Sequence, residues 1–380
     1  MTTPACVADF REAARRRLPK VLFDYIDGGA YGETTLAANV ADMAALTLRQ
    51  RVLRDVSNLA LETEVFGQTL AMPVVLSPVG LAGMYARRGE AQAARAAKAA
   101  GVPFALSTVG VCAIAEVAAA AATPPWFQLY MIKDRGFMNA LLATAREAAC
   151  PVLLFTVDLP VAGARYRDAR NGLNVASPAA RFRQALDGIA HPAWFWDVLV
   201  RGGPQSLGNI ASGGADLGAL QEYMGWIGRN FDPTVTWKDI DWVRERWPGP
   251  LVLKGVLDAE DARDARSCGV DGLVVSNHGG RQLDGAPSSI AALPAIVEAV
   301  GDEMTVLMDG GIRSGLDVLK ALALGAKACL IGRAWAYALG AGGEAGVAKM
   351  LEVMRSELRV AMSLTGCLDV RDAGRGLLTS

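Results

Sequence analysis

The sequence predicts a closed (β/α)8 barrel, and three observations carry that prediction. Eight short aliphatic or β-branched runs recur from position 73 onward. Ala-rich stretches of helical period separate them. Polar residues and glycines gather at the C-terminal ends of the runs. Near-continuous apolar strands mean burial on both faces, as in a parallel sheet, and alternation with helices closes such a sheet into a barrel. A doubly wound sheet is the alternative, but its Gly-x-Gly-x-x-Gly turn after the first strand is absent.

The runs are PVVLSPVG (73–80), PFALST (103–108), PWFQLY (125–130) and VLLFTVD (152–158), then LVLKGV (251–256), GLVVSN (272–277), TVLMDG (305–310) and ACLIGR (328–333). GEAQAARAAKAAG (89–101) and SGLDVLKALALGA (314–326) are representative helical stretches. All 380 residues form one expected domain, with 73–159 and 237–380 as the barrel. Residues 1–72 are an N-terminal lead-in of helices plus a hairpin at LETEVFGQTL. Residues 160–236, rich in Gly, Pro and Trp, are a long insertion after strand four; a connection of that length is usually functional or mobile.

Composition narrows the class. The chain is 52% hydrophobic and 20% charged, which suits a large globular core. Thirty-eight Lys and Arg balance 39 Asp and Glu, so no basic excess points to nucleic acid. The six cysteines form no C-x-x-C pair or zinc spacing, so no metal is expected and the thiols fit a reducing cytosol. The N-terminus lacks the apolar core of a signal peptide, and no stretch resembles a membrane span.

Barrel active sites lie at the C-terminal strand ends. Here those ends carry Ser107-Thr108, Gln128 and Tyr130, Thr156 and Asp158, Lys254, Ser276-Asn277-His278, Asp309-Gly310-Gly311, and Gly332-Arg333. One polar strand end is ordinary, whereas a run across seven strands favours a site. In MDGGIRSG, Gly310 and Gly311 precede Arg313 where a helix starts; Gly332 and Arg333 repeat the pattern one strand later. Glycines admit an anion to backbone N–H groups, and Arg supplies charge, so these paired loops are expected to hold a phosphate.

Of two histidines, His191 lies in the insertion beside Pro192 and reads as a surface or packing residue. His278, in SNHGGRQLDG, has two glycines that leave room for a ligand, and Arg281 follows three residues on. That pattern suits a base working on a substrate whose carboxylate the Arg holds, with Asp158 steadying the imidazolium. Lys254 has three readings: a Schiff-base amine, a cation beside a cofactor ring, or a lysine reaching from a strand end to water.

These segments resemble the FMN-dependent L-2-hydroxy-acid dehydrogenases and oxidases over nearly the whole chain. FDYIDGGAYGETTL, SPVGLAGMYARRGE, WFQLY, FTVDLPVAGARYRD, VLKGVLDAEDA, VVSNHGGRQLDG, DGGIRSGLDVLKALALGA and LIGRA all carry the resemblance. Within the family, GARYRD, MYARRGE and NFDP-x-x-x-WKD most resemble the bacterial respiratory L-lactate dehydrogenases. The resemblance implies that Tyr25, Arg165 and Arg281 hold the substrate carboxylate, with Tyr130 near the hydroxyl. His278 is then the base, paired with Asp158. Ser107, Gln128, Thr156, Lys254 and Ser276 serve the FMN ring and ribityl chain, and Pro78, Val79 and Gly80 line the ring. Asp309, Gly310, Gly311, Arg313, Gly332 and Arg333 bind the ribityl chain and phosphate. Lys254 then stabilises reduced flavin, and the aldolase reading falls away.

The expected reaction is oxidation of L-lactate, or a closely related 2-hydroxy acid, with electrons passed to a quinone or another respiratory acceptor. Gly80 stands where oxidases of the family tend to have Ala, which points to a dehydrogenase. Val109 and Ala162 replace larger residues and are expected to open space for bulkier acids. The resemblance further implies a homo-oligomer, a tetramer in the family, and peripheral contact with the cytoplasmic side of the inner membrane. Trp194, Phe195 and Trp196, flanked by Arg181, Arg183 and Arg201, suit such an interface. The same aromatics could instead form a lid over the flavin or a subunit contact.

Overall fold

The computed structural model describes residues 3–173, 178–202, 206–211 and 220–379. Residues 174–177, 203–205 and 212–219 of the expected insertion lie outside the described residues. The eight expected strands form one parallel sheet. They are β1 (Val74–Leu76), β2 (Ala105–Ser107), β3 (Trp126–Tyr130), β4 (Leu153–Thr156), β5 (Leu251–Val256), β6 (Gly272–Val275), β7 (Thr305–Asp309) and β8 (Ala328–Ile331). Neighbours in sequence are neighbours in space from β2 round to β8, and β8 pairs with β1. A parallel bridge between Leu76 and Phe104 joins β1 to β2 and closes the barrel.

The alternation of each strand separates two cores. Val75, Leu154, Val252, Val274, Leu307 and Leu330 point inward and fill the barrel. The lead-in hairpin, Thr63–Val65 with Gln68–Leu70, plugs the same cluster with Val65 and Leu70. Its turn at Phe66 and Gly67 has φ of 50° and 72°, a left-handed pair suited to a tight hairpin, and the Phe66 ring meets Trp126 edge-on at 5.9 Å. The other strand faces pack outward on the helices. Four helices that follow their strands are α1 (Gly89–Ala99), α2 (Ile114–Ala121), α3 (Arg135–Glu147) and α4 (Trp237–Arg246). The rest are α5 (Ala259–Ser267), α6 (Ser289–Val300), α7 (Gly315–Ala323) and α8 (Arg333–Thr365), the last interrupted at Gly342 and Gly343.

Three lead-in helices, Val7–Arg17, Lys20–Asp27 and Thr34–Ala45, pack on the barrel and reach its catalytic end. The third does so through Asn39. Its amide exchanges two hydrogen bonds of 2.9 Å with Asn277, just beyond β6. Within the insertion, Pro178–Ala190 leads through His191 into a π-helical turn, Phe195–Val200, and Leu220–Asn230 returns to the barrel. His191 is half-buried, with Nδ1 2.7 Å from the Asp187 carbonyl, a local packing role.

The expected aromatic cluster is divided. Trp194 is buried, with its indole N–H on the Met84 carbonyl at 2.7 Å, while Trp196 is 60% exposed. Three consecutive residues on a helical turn cannot share one face, so Trp194 anchors the turn and Trp196 faces outward. None of Trp194, Phe195 and Trp196 lines the cleft itself.

Candidate active site

Strand-end polar groups form two hydrogen-bonded sets. Ser107 Oγ donates to Gln128 Oε1 at 2.9 Å, and Gln128 Nε2 donates to Thr156 Oγ1 at 2.9 Å. Lys254 Nζ donates to Ser276 Oγ at 2.9 Å and lies 2.7 Å from Asp309 Oδ2. Parallel registry produces this order, because Ser107 is level with Gln128, and Thr156 with Lys254. Gln128, Thr156, Lys254 and Asp309 line the cleft above the barrel, whereas Ser107 and Ser276 stand behind the residues that line it. Ser276 Oγ also accepts the His278 N–H at 3.0 Å, so one hydroxyl ties Lys254 to the His278 loop.

That loop is sharply turned. His278, Gly279 and Gly280 have φ of 57°, 64° and 72° in succession. Glycine is required at the latter two positions. A Cβ on Gly279 would lie 2.7 Å from Arg333 Nη1, and one on Gly280 would lie 2.6 Å from the Leu36 backbone nitrogen. The turn aims the imidazole across the cleft, where Nδ1 is 2.9 Å from Asp158 Oδ1. Burial raises the Asp158 carboxyl, but the charge and hydrogen bond of His278, followed by Lys254, outweigh it. The pKa therefore lies below the usual carboxylate value.

Arg281 follows on the same loop. Its Nη1 donates to the Tyr25 and Gly28 carbonyls at 2.6 and 2.9 Å, and its guanidinium carbon lies 4.9 Å from the Tyr25 ring centroid. Arg165, after β4, places its own at 5.8 Å from the same ring. Two cations thus lie against one aromatic ring supplied by the lead-in. Burial, then the charge of Arg165, lowers the Arg281 pKa. A carboxylate between them would relieve that repulsion. Tyr130 lines the same end, and burial followed by the nearby Asp158 charge raises its phenol pKa.

The cleft is also lined by Gly310, Gly311, Arg313, Gly332 and Arg333. Gly310 and Gly311 have φ of 96° and 85°, and a Cβ on Gly311 would lie 2.1 Å from the Asn39 carbonyl oxygen. Arg333 donates from Nε, Nη1 and Nη2 to the Ile26, Gly279 and Gly28 carbonyls at 2.7–2.9 Å. It thereby stitches the lead-in to the His278 loop. Burial, with Arg281 nearby, depresses its pKa to about 9.

Several lining residues were outside the sequence expectation. Tyr85 is fully buried and its hydroxyl donates to the Gly80 carbonyl at 3.3 Å, beside Pro78 and Val79 on the cleft wall. Ile227 and Phe231 line the cleft from the insertion. MYARRGE and NFDP contained Tyr85 and Phe231, but neither carries a charge or motif that marks it as a wall. Gln282 braces the loops, donating from Nε2 to the Asp158 and Val161 carbonyls at 2.9 and 3.0 Å.

A barrel with a His–Asp pair, an arginine pair and glycine–arginine loops around one cleft suits a cofactor-dependent enzyme acting on a carboxylate. The model of the FMN-dependent dehydrogenase family matches residues 14–380, and the chain belongs to that family. It is similar to an L-lactate dehydrogenase of Caulobacter sp. strain K31, with 59% identity over 97% of each chain. It is 58% identical to an L-lactate dehydrogenase of Stenotrophomonas maltophilia strain K279a, over 98% of each. Among solved structures it resembles a monotopic membrane protein, (S)-mandelate dehydrogenase, with 36% identity, full coverage of both chains and a TM-score of 0.93. It also resembles mandelate oxidase with (S)-4-hydroxymandelic acid, with 39% identity, coverage of 99% and 98%, and a TM-score of 0.85. The protein is therefore an FMN-dependent enzyme that oxidises a 2-hydroxy acid. The residues fit the cofactor: buried Asp309 Oδ1 has no hydrogen-bond partner, so a ribityl hydroxyl would satisfy it, and the glycine–arginine loops suit the phosphate.

Proposed function

We propose that this protein is an L-lactate dehydrogenase that delivers electrons to a quinone at a membrane surface. The observation that supports the chemistry best is the His278–Asp158 pair at 2.9 Å, in one cleft with Arg165, Arg281 and Tyr25. FMN, when bound, supplies the two-electron acceptor. Gln128, Thr156, Lys254 and Asp309 would hold its ring and ribityl chain along the strand ends, with Pro78, Val79 and Gly80 at the ring. Gly310, Gly311, Arg313 and Gly332 would take the phosphate, with Arg333 adding charge.

The chain's own groups then act in order. Arg165 and Arg281 clamp the substrate carboxylate, and the Tyr25 ring packs against both guanidinium groups. Tyr130 meets the substrate hydroxyl. His278 accepts a proton at Nε2, because Nδ1 is held by Asp158. The Asp158 carboxylate stabilises the resulting imidazolium and keeps the ring oriented. Lys254 contributes positive charge where negative charge develops. Ser107 and Ser276 steady Gln128 and Lys254 from behind.

Lactate is favoured by the names of the relatives at 58–60% identity, against mandelate for the structures at 36–39%. Membrane docking is supported by an exposed apolar face of Phe182, Leu186, Ile189, Trp196, Leu199 and Val200. Arg181, Arg183 and Arg201 are exposed in the same segments. Phe182, Leu186 and Ile189 recur at helical spacing, as in an interfacial helix. Among the described residues no helix is long and apolar enough to cross a membrane. The family resemblance favours a peripheral contact, and the cytoplasmic side of the inner membrane is the side proposed. A panel of L-2-hydroxy acids, assayed with oxygen and with a quinone analogue, tests this reading. Lactate turnover with the quinone analogue is expected, and no turnover of any 2-hydroxy acid would refute it.

A further inference from the structure

We propose that Phe231 and Ile227, both supplied by the insertion, set the size of the substrate side chain and restrict the enzyme to short aliphatic 2-hydroxy acids. This rests on the placement of Tyr130, Arg165, Arg281 and His278 at the substrate end. Phe231 stands over that end. Its ring centroid lies 4.7 Å from that of Tyr130, with the planes 31° apart. Ile227, one turn earlier, lines the same cleft, as do Val109 and Leu159.

The wall is fixed. Phe231 forms an antiparallel bridge with Ile132. Asp232 N–H donates to the Met131 carbonyl at 3.1 Å, and Lys133 N–H donates to the Asn230 carbonyl at 2.9 Å. Arg135 Nη2 then bonds the Asp232 carboxylate at 2.9 Å. Trp226 meets Phe231 edge-on at 6.4 Å and Phe137 at 6.5 Å, which packs the wall from behind. Phe231 and Ile227 are 5% and 9% exposed. A ring held by backbone pairing and by packing cannot swing aside without breaking several contacts.

The arrangement changes what the small residues on the barrel side do. Val109 is a buried part of the wall, whereas Ala162 is exposed at the rim. Space opened at Val109 is therefore bounded by Phe231 and Ile227 from across the cleft. Under this proposal a methyl substituent fits between the walls more readily than a phenyl ring, which would press on Phe231 and Tyr130.

The test uses the full-length, FMN-loaded enzyme, with L-lactate and (S)-mandelate as substrates and pyruvate and benzoylformate as ligands. Wild type is expected to prefer lactate. Phe231→Ala and Ile227→Ala should each raise the mandelate-to-lactate ratio of kcat/KM by roughly 10–200-fold, the range that small changes in an apolar pocket produce. Binding of benzoylformate, followed by the flavin spectrum, should tighten relative to pyruvate in the same order. If Phe231→Ala does not fold with FMN, Ile227→Ala and Phe231→Leu carry the same forecast with less packing lost. Folded, yellow variants whose ratios match wild type would overturn the proposal, as would a wild type that already prefers mandelate. A wild type that turns over no 2-hydroxy acid would instead overturn the functional reading on which the proposal rests.

Discussion

His278 Nδ1 lies 2.9 Å from Asp158 Oδ1, which joins the end of β6 to the end of β4 across the cleft. The pair commits one imidazole nitrogen to a carboxylate, and the proposed mechanism assigns the other to the substrate proton. His278→Ala should lower turnover by about 10²–10⁴-fold or more while FMN stays bound, because the phosphate loops are untouched. Stopped-flow flavin reduction, with the flavin spectrum as a check on occupancy, measures both. Normal reduction would show that the base lies elsewhere.

The same pair makes a forecast about acid stability. Asp158 has a lowered pKa in the folded protein. Its stabilising contribution is therefore complete above the ordinary carboxylate pKa of about 3.9, and is lost as pH falls through the lowered value. His278→Ala removes the largest of the lowering influences and leaves the burial that opposes ionisation. The acid-unfolding midpoint of that variant should move to higher pH, read by circular dichroism in an acid titration. An unchanged midpoint would mean that the pair adds nothing to stability.

Arg313 belongs to the glycine–arginine loops, and its Nη1 already donates to the Ile312 carbonyl at 2.8 Å. Arg313→Ala should weaken FMN retention. Loss of one hydrogen bond to a charged group costs about 1.5–3 kcal/mol, or on the order of 10–100-fold in affinity. Flavin release during gel filtration, followed by titration with added FMN, gives the number. Full retention would place the phosphate away from this side chain.

Gly80 lines the cleft with its carbonyl held by the Tyr85 hydroxyl at 3.3 Å. A methyl group there changes the space beside the flavin ring. Wild type should use oxygen poorly, and Gly80→Ala should raise the ratio of peroxide formation to quinone-analogue reduction. Equal rates with oxygen and the quinone analogue in wild type would remove the dehydrogenase label.

Membrane docking concerns Trp196 and Leu199, which are 60% and 42% exposed. Each large apolar side chain contributes about 1.5–3 kcal/mol when fully buried. Trp196→Ser with Leu199→Ser should release active, yellow enzyme from sedimented membranes. Trp194 is left in place because its indole anchors the turn to Met84. Wild type that stays wholly in the supernatant at physiological salt would end the docking role.

Local chemistry settled much of this protein before any coordinates. The strands are legible because near-continuous apolar runs can be buried on both faces only in a parallel sheet, and eight of them close. The His278 loop stands out because a histidine, two glycines and an arginine in four consecutive residues put a titratable group, ligand space and a cation together. What the sequence could not show is which separated residues meet. Ser107 and Ser276 read as ligand contacts from their polarity, and only the folded chain shows that their hydroxyls also bond Gln128 and Lys254. Trp194 and Trp196 are the same residue type two positions apart, and only the direction of one helical turn buries the first and exposes the second. Phe231 lies 101 positions beyond Tyr130 along the chain (231 − 130), and becomes its neighbour only because residues 230–232 pair with the backbone after β3. Periodicity and motif report the local environment of a residue. Contacts across the cleft depend on the path of the intervening chain, which is a property of the packed structure alone.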